Sequence, residues 1–237
     1  MKSEPKQKYI VYDTKVEAPD VLTLRLIPQE KSAPSYISGQ YITIYFPETG
    51  TPEGKAYSIS SAPSEQNIAI TVKAMGEFSH RLTSLHPGDV VTASLPGGYF
   101  YSESNQTHII MVAAGIGVAP FRSMIVDSLE KNPARKITLF YSTRTKEEII
   151  FRKKFDELQA LHPSFTVRYF VTREQGASSG MMQRRITGED IGACVRNESA
   201  SEFMLCGSIS FVRDLWRSLH ILGIPEDTVY TEAFFSH

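Results

Sequence analysis

A pair of glycines near the middle of the chain offers the clearest chemistry in the sequence. Gly115, Ile116 and Gly117 follow an apolar run and precede a segment of helical spacing that opens with Pro120. Such a strand-to-helix turn presents backbone N–H groups and the positive end of a helix to an anion, and the missing side chains let a diphosphate approach closely. Proline suits the first helical turn because the N–H that it lacks would have no partner there. The turn therefore favours a nucleotide diphosphate, while a tight turn without a ligand stays open as the alternative.

The strand after this loop bears on which nucleotide would bind. Folds of this kind that bind NAD usually place an acidic residue about twenty positions after the glycine loop, where it hydrogen-bonds the ribose 2′-hydroxyl. Here the next predicted strand ends in Ser142, Thr143 and Arg144. An arginine favours a 2′-phosphate, although an ordinary solvated loop charge would also account for Arg144.

Composition argues against several other kinds of chemistry. The chain has 237 residues, a formal net charge of −1 and 41% hydrophobic residues, as expected for a globular protein of one large or two small domains that does not bind nucleic acid. Cys194 and Cys206 are too few for a disulfide framework or a four-cysteine cluster, and histidines and carboxylates do not stand at metal-ligand spacing. We expect no metal site.

The sequence also predicts where the protein works. Its first residues, "MKSEPKQKYIVYD", carry charge where a signal peptide needs an apolar core. No later run approaches the about eighteen apolar residues of a membrane span. We expect a cytoplasmic protein that is a monomer and has no membrane span.

The predicted elements that position the glycine loop follow two different sequence patterns, which meet near Ser102. Before that point, short β-rich segments alternate with Pro, Gly and Ser clusters, which is the spacing of an antiparallel barrel or sandwich. The predicted strands cover residues 8–18, 21–28, 40–47, 56–60, 68–75 and 89–96, and a helix covers 77–85.

After Ser102 predicted strands and helices alternate. The strands cover residues 108–114, 136–142, 166–172, 202–207 and 228–235, and the helices cover 120–132, 147–162 and 210–223, with a helical turn near 188–195. This alternation predicts a parallel sheet with helices on both faces. We therefore predict two domains, residues 1–102 and 103–237.

Three motifs in this order, "KAYSISSAP", "GEFSHRL" and "GIGVAP", resemble the ferredoxin-NADP reductase superfamily of FAD- and NAD(P)H-dependent flavoproteins. The resemblance covers nearly the whole chain. It implies an N-terminal antiparallel Greek-key FAD-binding barrel over residues 1–102, followed by a Rossmann-like parallel-sheet NAD(P)-binding domain over residues 103–237. It also implies an FAD-dependent oxidoreductase.

The resemblance places the flavin in the barrel. The family's Arg-x-Tyr-Ser motif corresponds to Lys55, Tyr57 and Ser58, with the tyrosine on the isoalloxazine ring and the serine near its N5. Lysine here replaces arginine and cannot fork two hydrogen bonds to the diphosphate, so we expect weaker flavin retention. The Gly-x-x-Ser-x-x-Leu motif, which offers N–H groups and a hydroxyl to the diphosphate, ends at Leu82. The expected FAD contacts are Lys55, Tyr57, Ser58, Val72, Lys73, Gly76, Phe78, Ser79 and Phe234.

The resemblance places the nicotinamide nucleotide in the second domain. Cys206 and Glu232 would face the nicotinamide, although a cysteine that ends a buried strand is often only core filling. Arg184 could take the place of Arg185 at the 2′-phosphate. The expected NADP contacts are Gly115, Ile116, Gly117, Pro120, Arg144, Thr172, Arg173, Arg185, Cys206, Gly207 and Ser208, and the expected catalytic residues are Ser58, Cys206 and Glu232.

The function implied by the resemblance is hydride transfer from NADPH to FAD, followed by electron delivery to a separate acceptor such as ferredoxin or flavodoxin. NADH stays open as the donor. Three alternatives also stay open: the reductase component of an oxygenase, the electron-relay flavin subunit of a larger complex, and a flavin-binding module that no longer turns over. Phe234 is expected to cover the flavin face that the nicotinamide must occupy, or else to seal the last strand.

Overall fold

The computed structural model describes residues 5–29, 33–102, 108–174, 180–194 and 201–234. The chain divides into two compact units. The first contains Met1–Tyr101 together with Arg122–Asp127, and the second contains Ser102–Phe121 and Ser128–His237. The predicted assignment of residues 1–102 and 103–237 to separate domains stays a proposal.

The first unit is an antiparallel barrel. Its elements are β1 (Lys6–Ala18), β2 (Val21–Pro28), β3 (Tyr41–Phe46), β4 (Thr51–Ser58), β5 (Ile68–Lys73), α1 (Glu77–Thr83) and β6 (Val90–Ser94). The strands follow one another in the sheet as β4-β3-β6-β1-β2-β5. Just after β4, Ile59 bridges to Ile70 of β5, and the N–H of Ser60 donates to the carbonyl of Ala69 at 2.7 Å. The two ends of the sheet therefore meet at a seam, and the predicted barrel is confirmed.

Alternation along the strands builds the core of this unit. Leu24, Leu26 and Ile70 point inward and are fully buried, because alternate residues of a strand share a face. Burial of each such side chain contributes about 1.5–3 kcal/mol. A packed core therefore lies behind the strands that carry the expected flavin residues.

The second unit is a parallel sheet with helices. Its elements are β7 (His108–Ala114), the two ends of α2 (Ala119–Lys131, whose middle residues Arg122–Asp127 belong to the first unit), β8 (Lys136–Thr143), α3 (Arg152–Leu161), β9 (Phe165–Val171), β10 (Met181–Met182), α4 (Gly188–Gly192), β11 (Ser201–Ser208), α5 (Ile209–Ile221) and β12 (Val229–Phe234). The strand order is β10-β9-β8-β7-β11-β12, and every pairing is parallel. The Rossmann-like prediction is confirmed. The chain runs outward from β7 in both directions, so the sheet has a switch point between β7 and β11, where such folds bind ligands.

The predicted helix over residues 147–162 is wrong at its start. A 3-10 turn covers Lys146–Glu148, and α3 begins only at Arg152. Ile149 and Ile150 are both buried in the core, and Phe151 between them and the helix adopts a left-handed φ of 58°. The left-handed backbone of Phe151 interrupts the right-handed helical path, so α3 does not extend back through the two isoleucines.

The helices can also be compared with the length and hydropathy that a membrane span requires. None of the helices within the described ranges is both long and apolar enough to cross a bilayer.

Candidate functional site

Strand β4 carries three of the expected flavin residues. Ser58 is buried, Tyr57 is half-buried and Lys55 is exposed. The Tyr57 ring stacks on the ring of Phe78 with centroids 6.3 Å apart and an interplanar angle of 23°. The Lys55 Nζ lies 5.5 Å from the centroid of the same ring. Tyr57 and Lys55 therefore share one face of the strand, while Ser58 turns to the other.

Two of the expected flavin residues belong to the barrel core. Phe78 is 2% exposed and Val72 is 1% exposed. Phe78 also packs on Phe46, with ring centroids 5.1 Å apart, so its ring contacts both the core and the ring of Tyr57. The side chain of Val72 faces the core, which leaves its backbone as the part that can meet a ligand. Burial raises the pKa of Tyr57 to about 12, so its hydroxyl stays protonated at neutral pH.

The start of α1 is organised by the hydroxyl of Ser79. This oxygen accepts hydrogen bonds from the N–H groups of Met75 and Gly76 at 2.8 and 3.0 Å, and the hydroxyl donates to the Gly76 carbonyl at 2.9 Å. Ser79 therefore caps its own turn. A Cβ built on Gly76 would meet no atom within 4 Å, so the surface in front of this glycine is open.

These residues fit an FAD molecule. An exposed lysine, a half-buried aromatic ring and an open glycine turn are what a diphosphate and a flavin ring require. Lys73 at the end of β5 is half-buried and adds a second cation to the unit. Arg81, which the sequence did not lead us to expect here, places its guanidinium 5.2 Å from the Phe46 ring. The sequence feature that could have identified Arg81 is its position one residue before Leu82 of the Gly-x-x-Ser-x-x-Leu motif.

The glycine loop of the second unit is set by a close backbone approach. Gly115–Val118 forms a 3-10 turn after β7, and Pro120 lies in the first turn of α2, as predicted. A Cβ on Gly117 would stand 2.4 Å from the carbonyl oxygen of Cys206, a distance that no real side chain tolerates. Gly115 has a φ of 54°, in the left-handed region that favours glycine. The loop is therefore pressed against the end of β11, at the switch point of the sheet.

Cys206 and Glu232 lie side by side on neighbouring strands at the carboxyl edge of the parallel sheet. They are register partners on β11 and β12, and Ser208 and Phe234 are paired two residues further on. Cys206 is fully buried; burial raises the pKa of its thiol well above the usual value, and the Glu232 carboxylate adds to the shift. The thiol is protonated and is no nucleophile at neutral pH. The Ser208 hydroxyl accepts from the Phe211 N–H at 3.3 Å and caps α5.

Two of the predicted arginines are held together at the ends of neighbouring strands. The carbonyl of Arg144, after β8, accepts from the N–H of Thr172 at 3.1 Å and from that of Arg173 at 2.8 Å, after β9. Both arginines are exposed. Their adjacency gives two cations at the carboxyl edge of the sheet, where a phosphate can meet both.

The contacts of Arg184 distinguish it from Arg185. The Arg184 guanidinium donates to both oxygens of Asp190 at 2.6 and 2.5 Å and lies 5.4 Å from the Phe170 ring. These hydrogen bonds lower the pKa of Asp190 to about 2. Arg184 is thus committed to its own turn, whereas Arg185 is exposed and keeps the role proposed for it.

Among the residues that the structure describes, no group of three or more His, Cys, Asp or Glu side chains is placed to hold a metal ion.

Comparison with known proteins supplies the wider context. Two family models match the chain, an oxidoreductase FAD-binding domain over residues 9–101 and an oxidoreductase NAD-binding domain over residues 111–216. Ferredoxin--NADP reductase B of Sorangium cellulosum (strain So ce56) is 31% identical over 211 residues, which cover 83% of this chain and 84% of that protein. One component protein of the 1,2-phenylacetyl-CoA epoxidase of Escherichia coli (strain K12) is 26% identical over 230 residues, with 92% of this chain and 65% of that protein covered.

Among solved structures, the FAD/NAD-binding domain of the nitric oxide dioxygenase of Vibrio cholerae O1 biovar El Tor shares the fold. Its TM-score is 0.82 at 24% identity, with 96% of this chain and 98% of that chain covered. The chain spans between 51 and 65% of the length of several curated relatives.

Proposed function

The chain belongs to the ferredoxin-NADP reductase superfamily, and on that basis we propose that it transfers a hydride from NADPH to FAD and delivers the electrons one at a time to a separate acceptor. It is an FAD-dependent NAD(P)H oxidoreductase with an FAD-binding and an NAD-binding domain. The observation that carries the proposal is the gathering of the glycine loop, Cys206 and Glu232 at the switch point of the parallel sheet.

The residues of the barrel would hold the flavin. FAD supplies, when bound, the exchange between a two-electron hydride donor and a one-electron acceptor. Tyr57 provides a neutral ring face, Ser58 a hydroxyl for the N5 edge, and Lys55 a positive charge for the diphosphate. The exposed start of α1 at Gly76 receives the same diphosphate.

The residues of the parallel sheet would hold the nicotinamide nucleotide. The loop from Gly115 to Gly117 binds the diphosphate through its N–H groups. Arg144 and Arg173 bind the 2′-phosphate, which favours NADPH over NADH. Glu232, beside the buried Cys206, orients the nicotinamide, because hydride transfer requires its C4 close to the flavin N5.

The acceptor we propose is a one-electron carrier of the ferredoxin or flavodoxin kind. Similarity to a ferredoxin-NADP reductase favours it. A second candidate role, the reductase component of an oxygenase, is favoured by the relative that is named as part of an epoxidase. Both roles use the same cofactor residues and differ in the protein that docks.

Spectroscopy of the purified protein tests the proposal. We expect a yellow protein whose chromophore, released by denaturation, is FAD, and which NADPH bleaches in the absence of oxygen. Release of FMN, or no flavin after reconstitution, would contradict the flavin assignment. Re-oxidation of the bleached protein by ferredoxin, flavodoxin or an oxygenase component then separates the two roles.

A further inference from the structure

The loops that follow β8 and β9 stay joined beyond the end of the two strands. The ladder of these strands ends at the pair of Thr143 and Val171. Three residues beyond each of them, Oε1 of Glu174 accepts a hydrogen bond from the N–H of Lys146 at 2.6 Å. We call this bond between the two loops the loop clamp. A hydrogen bond to a carboxylate is shorter and stronger than one between neutral groups, so the loop clamp connects the two loops firmly.

Both arginines proposed for the 2′-phosphate lie between the end of the ladder and the loop clamp. The Arg144 carbonyl accepts from the N–H groups of Thr172 and Arg173 at 3.1 and 2.8 Å. Arg144 therefore has the ladder on one side and Lys146 on the other, and Arg173 is directly followed by Glu174. The backbone of each arginine is thus fixed from two directions.

A second carboxylate, that of Glu148, makes contacts of a different kind. Its Oε2 accepts from the Arg144 N–H at 3.3 Å, and the N–H of Glu148 donates to the Thr145 carbonyl at 3.3 Å. Both hydrogen bonds stay within the loop after β8. Glu148 therefore shapes one loop, whereas Glu174 connects that loop to its neighbour.

The charge of Glu174 and its hydrogen bond act in opposite directions on a bound phosphate. Like charges repel, so a carboxylate next to Arg173 lowers the affinity for the 2′-phosphate. The hydrogen bond raises that affinity, because a ligand that meets side chains already held in place costs less conformational freedom on binding. A substitution that removes the charge and keeps the hydrogen bond can separate the two effects.

We infer that Glu174 is a positioning residue for the 2′-phosphate, because the loop clamp keeps Arg144 beside Arg173. The inference rests on the proposed function, in which these two arginines bind that phosphate. Glu174 acts through the arginines and takes no hydrogen bond from the nucleotide. Its removal should therefore change the binding of nucleotides that carry the 2′-phosphate and leave the binding of NADH and NAD⁺ unchanged.

Two substitutions of Glu174 test the inference on the FAD-loaded protein. Glu174→Gln and Glu174→Ala both remove the charge, but glutamine keeps an oxygen that accepts from the Lys146 N–H. Titration of the flavin spectrum with NADP⁺ and NAD⁺ measures the dissociation constants. NADP⁺ should bind Glu174→Gln as tightly as the parent or up to about threefold more tightly, since the repulsion is gone. It should bind Glu174→Ala about fivefold more weakly than Glu174→Gln, since the arginines are no longer held together. The dissociation constant of NAD⁺ should stay within about twofold of the parent in both variants.

A double substitution tests whether Glu174 acts through Arg144. Arg144→Ala removes the guanidinium that the loop clamp positions, so adding Glu174→Ala to it should weaken NADP⁺ binding no further. Changes at two residues that act through one contact are not additive, whereas independent changes are. A further loss in the double variant would overturn the inference, because Glu174 would then act without Arg144.

Two other results would also overturn the inference. Equal NADP⁺ affinity in Glu174→Ala and Glu174→Gln would mean that only the charge matters. An equal loss of NADP⁺ and NAD⁺ affinity in Glu174→Ala would mean that Glu174 stabilises the fold or binds a part that both nucleotides share. Failure of the proposed function looks different, because the parent protein itself would then not be bleached by NADPH.

Discussion

The two units build their candidate sites in opposite ways. In the barrel, Lys55 and Tyr57 offer side chains on a half-exposed strand, and Gly76 opens onto free space. In the parallel sheet, Gly117 and Cys206 are buried, and their backbones touch so closely that no side chain fits between them. Substitutions of the barrel residues can therefore change ligand affinity with little loss of stability. A side chain added to the glycine loop, by contrast, would displace the sheet.

A matched pair of glycine substitutions gives the largest expected contrast. Gly117→Ala places a methyl group against the Cys206 carbonyl and should lower the free energy of unfolding by about 3 kcal/mol. Gly76→Ala meets open space and an extended backbone, so its stability should stay within about 0.5 kcal/mol of the parent. Thermal or denaturant unfolding measures both. Similar losses in the two variants would break the comparison.

Nucleotide selectivity should respond to the exposed arginines of the parallel sheet. Arg173→Ala removes a charge-assisted contact to the 2′-phosphate, which is worth about 1.5–3 kcal/mol, so NADPH affinity should fall about tenfold or more. NADH affinity should change little, because NADH lacks that phosphate. Titration of each nucleotide measures the effect.

Arg184→Ala is the matched control for this selectivity. It breaks the pair with Asp190, so it should lower the melting temperature and leave the ratio of NADPH to NADH affinity unchanged. If Arg173→Ala lowers the affinity for NADPH and for NADH equally, Arg173 stabilises the fold or binds the diphosphate that both nucleotides share, and not the 2′-phosphate.

Phe234 is half-buried on β12, the last strand of the parallel sheet. If it covers the place of the nicotinamide, Phe234→Ala should tighten NADP⁺ binding about threefold to tenfold, as an obstruction worth about 1 kcal/mol requires. Its melting temperature should fall less than that of Phe203→Ala, where a core ring worth about 3–5 kcal/mol is lost. Weaker nucleotide binding with a melting loss as large as that of the control would make Phe234 a core residue.

The smallest expected effect is a pH dependence at Asp190. Its pKa is about 2 in the folded chain against an ordinary value of 3.8. A lowered folded pKa means that the stabilisation is complete above the ordinary value and disappears as the pH falls toward 2. Because Arg184 is half-exposed, we expect about 1 kcal/mol. The stability difference between the parent and Asp190→Asn should be constant above pH 5 and shrink toward pH 2; a difference that grows on acidification would contradict the pairing.

Much of this architecture could be predicted from the sequence because local pattern and tertiary structure agree. The barrel strands alternate with period two, and the run from His108 to Ala114 is apolar enough to identify a buried strand. The start of α3 could not be predicted, since Ile149 and Ile150 have a helical spacing with their neighbours. Only the core of the folded unit requires both of them at once.

Adjacent residues of the same type also escape sequence reasoning. Arg184 and Arg185 carry the same chemistry, and the difference between them arises from Asp190, whose carboxylate is fixed by the Thr187 capping turn. Ser79 matches its motif, yet the pattern could not reveal that its hydroxyl caps its own turn. The register of β1 with β2 skips Glu17 between Val16 and Ala18, and nothing in the alternation of the strand marks this bulge in the sequence.

The seam of the barrel has a consequence for how the unit opens. Four of its strand pairings are ladders of five to eight register pairs and β3 meets β6 through two, but β4 and β5 meet through the isolated bridge from Ile59 to Ile70. Opening free energies vary across a native protein and are lowest where few backbone bonds must break together. The amide hydrogens of Ser60 and its partners should therefore exchange with deuterated water sooner than those between β1 and β2. A flavin held at Tyr57 and Ser58 would slow that exchange, so mass spectrometry of the seam peptides can report cofactor occupancy without any turnover.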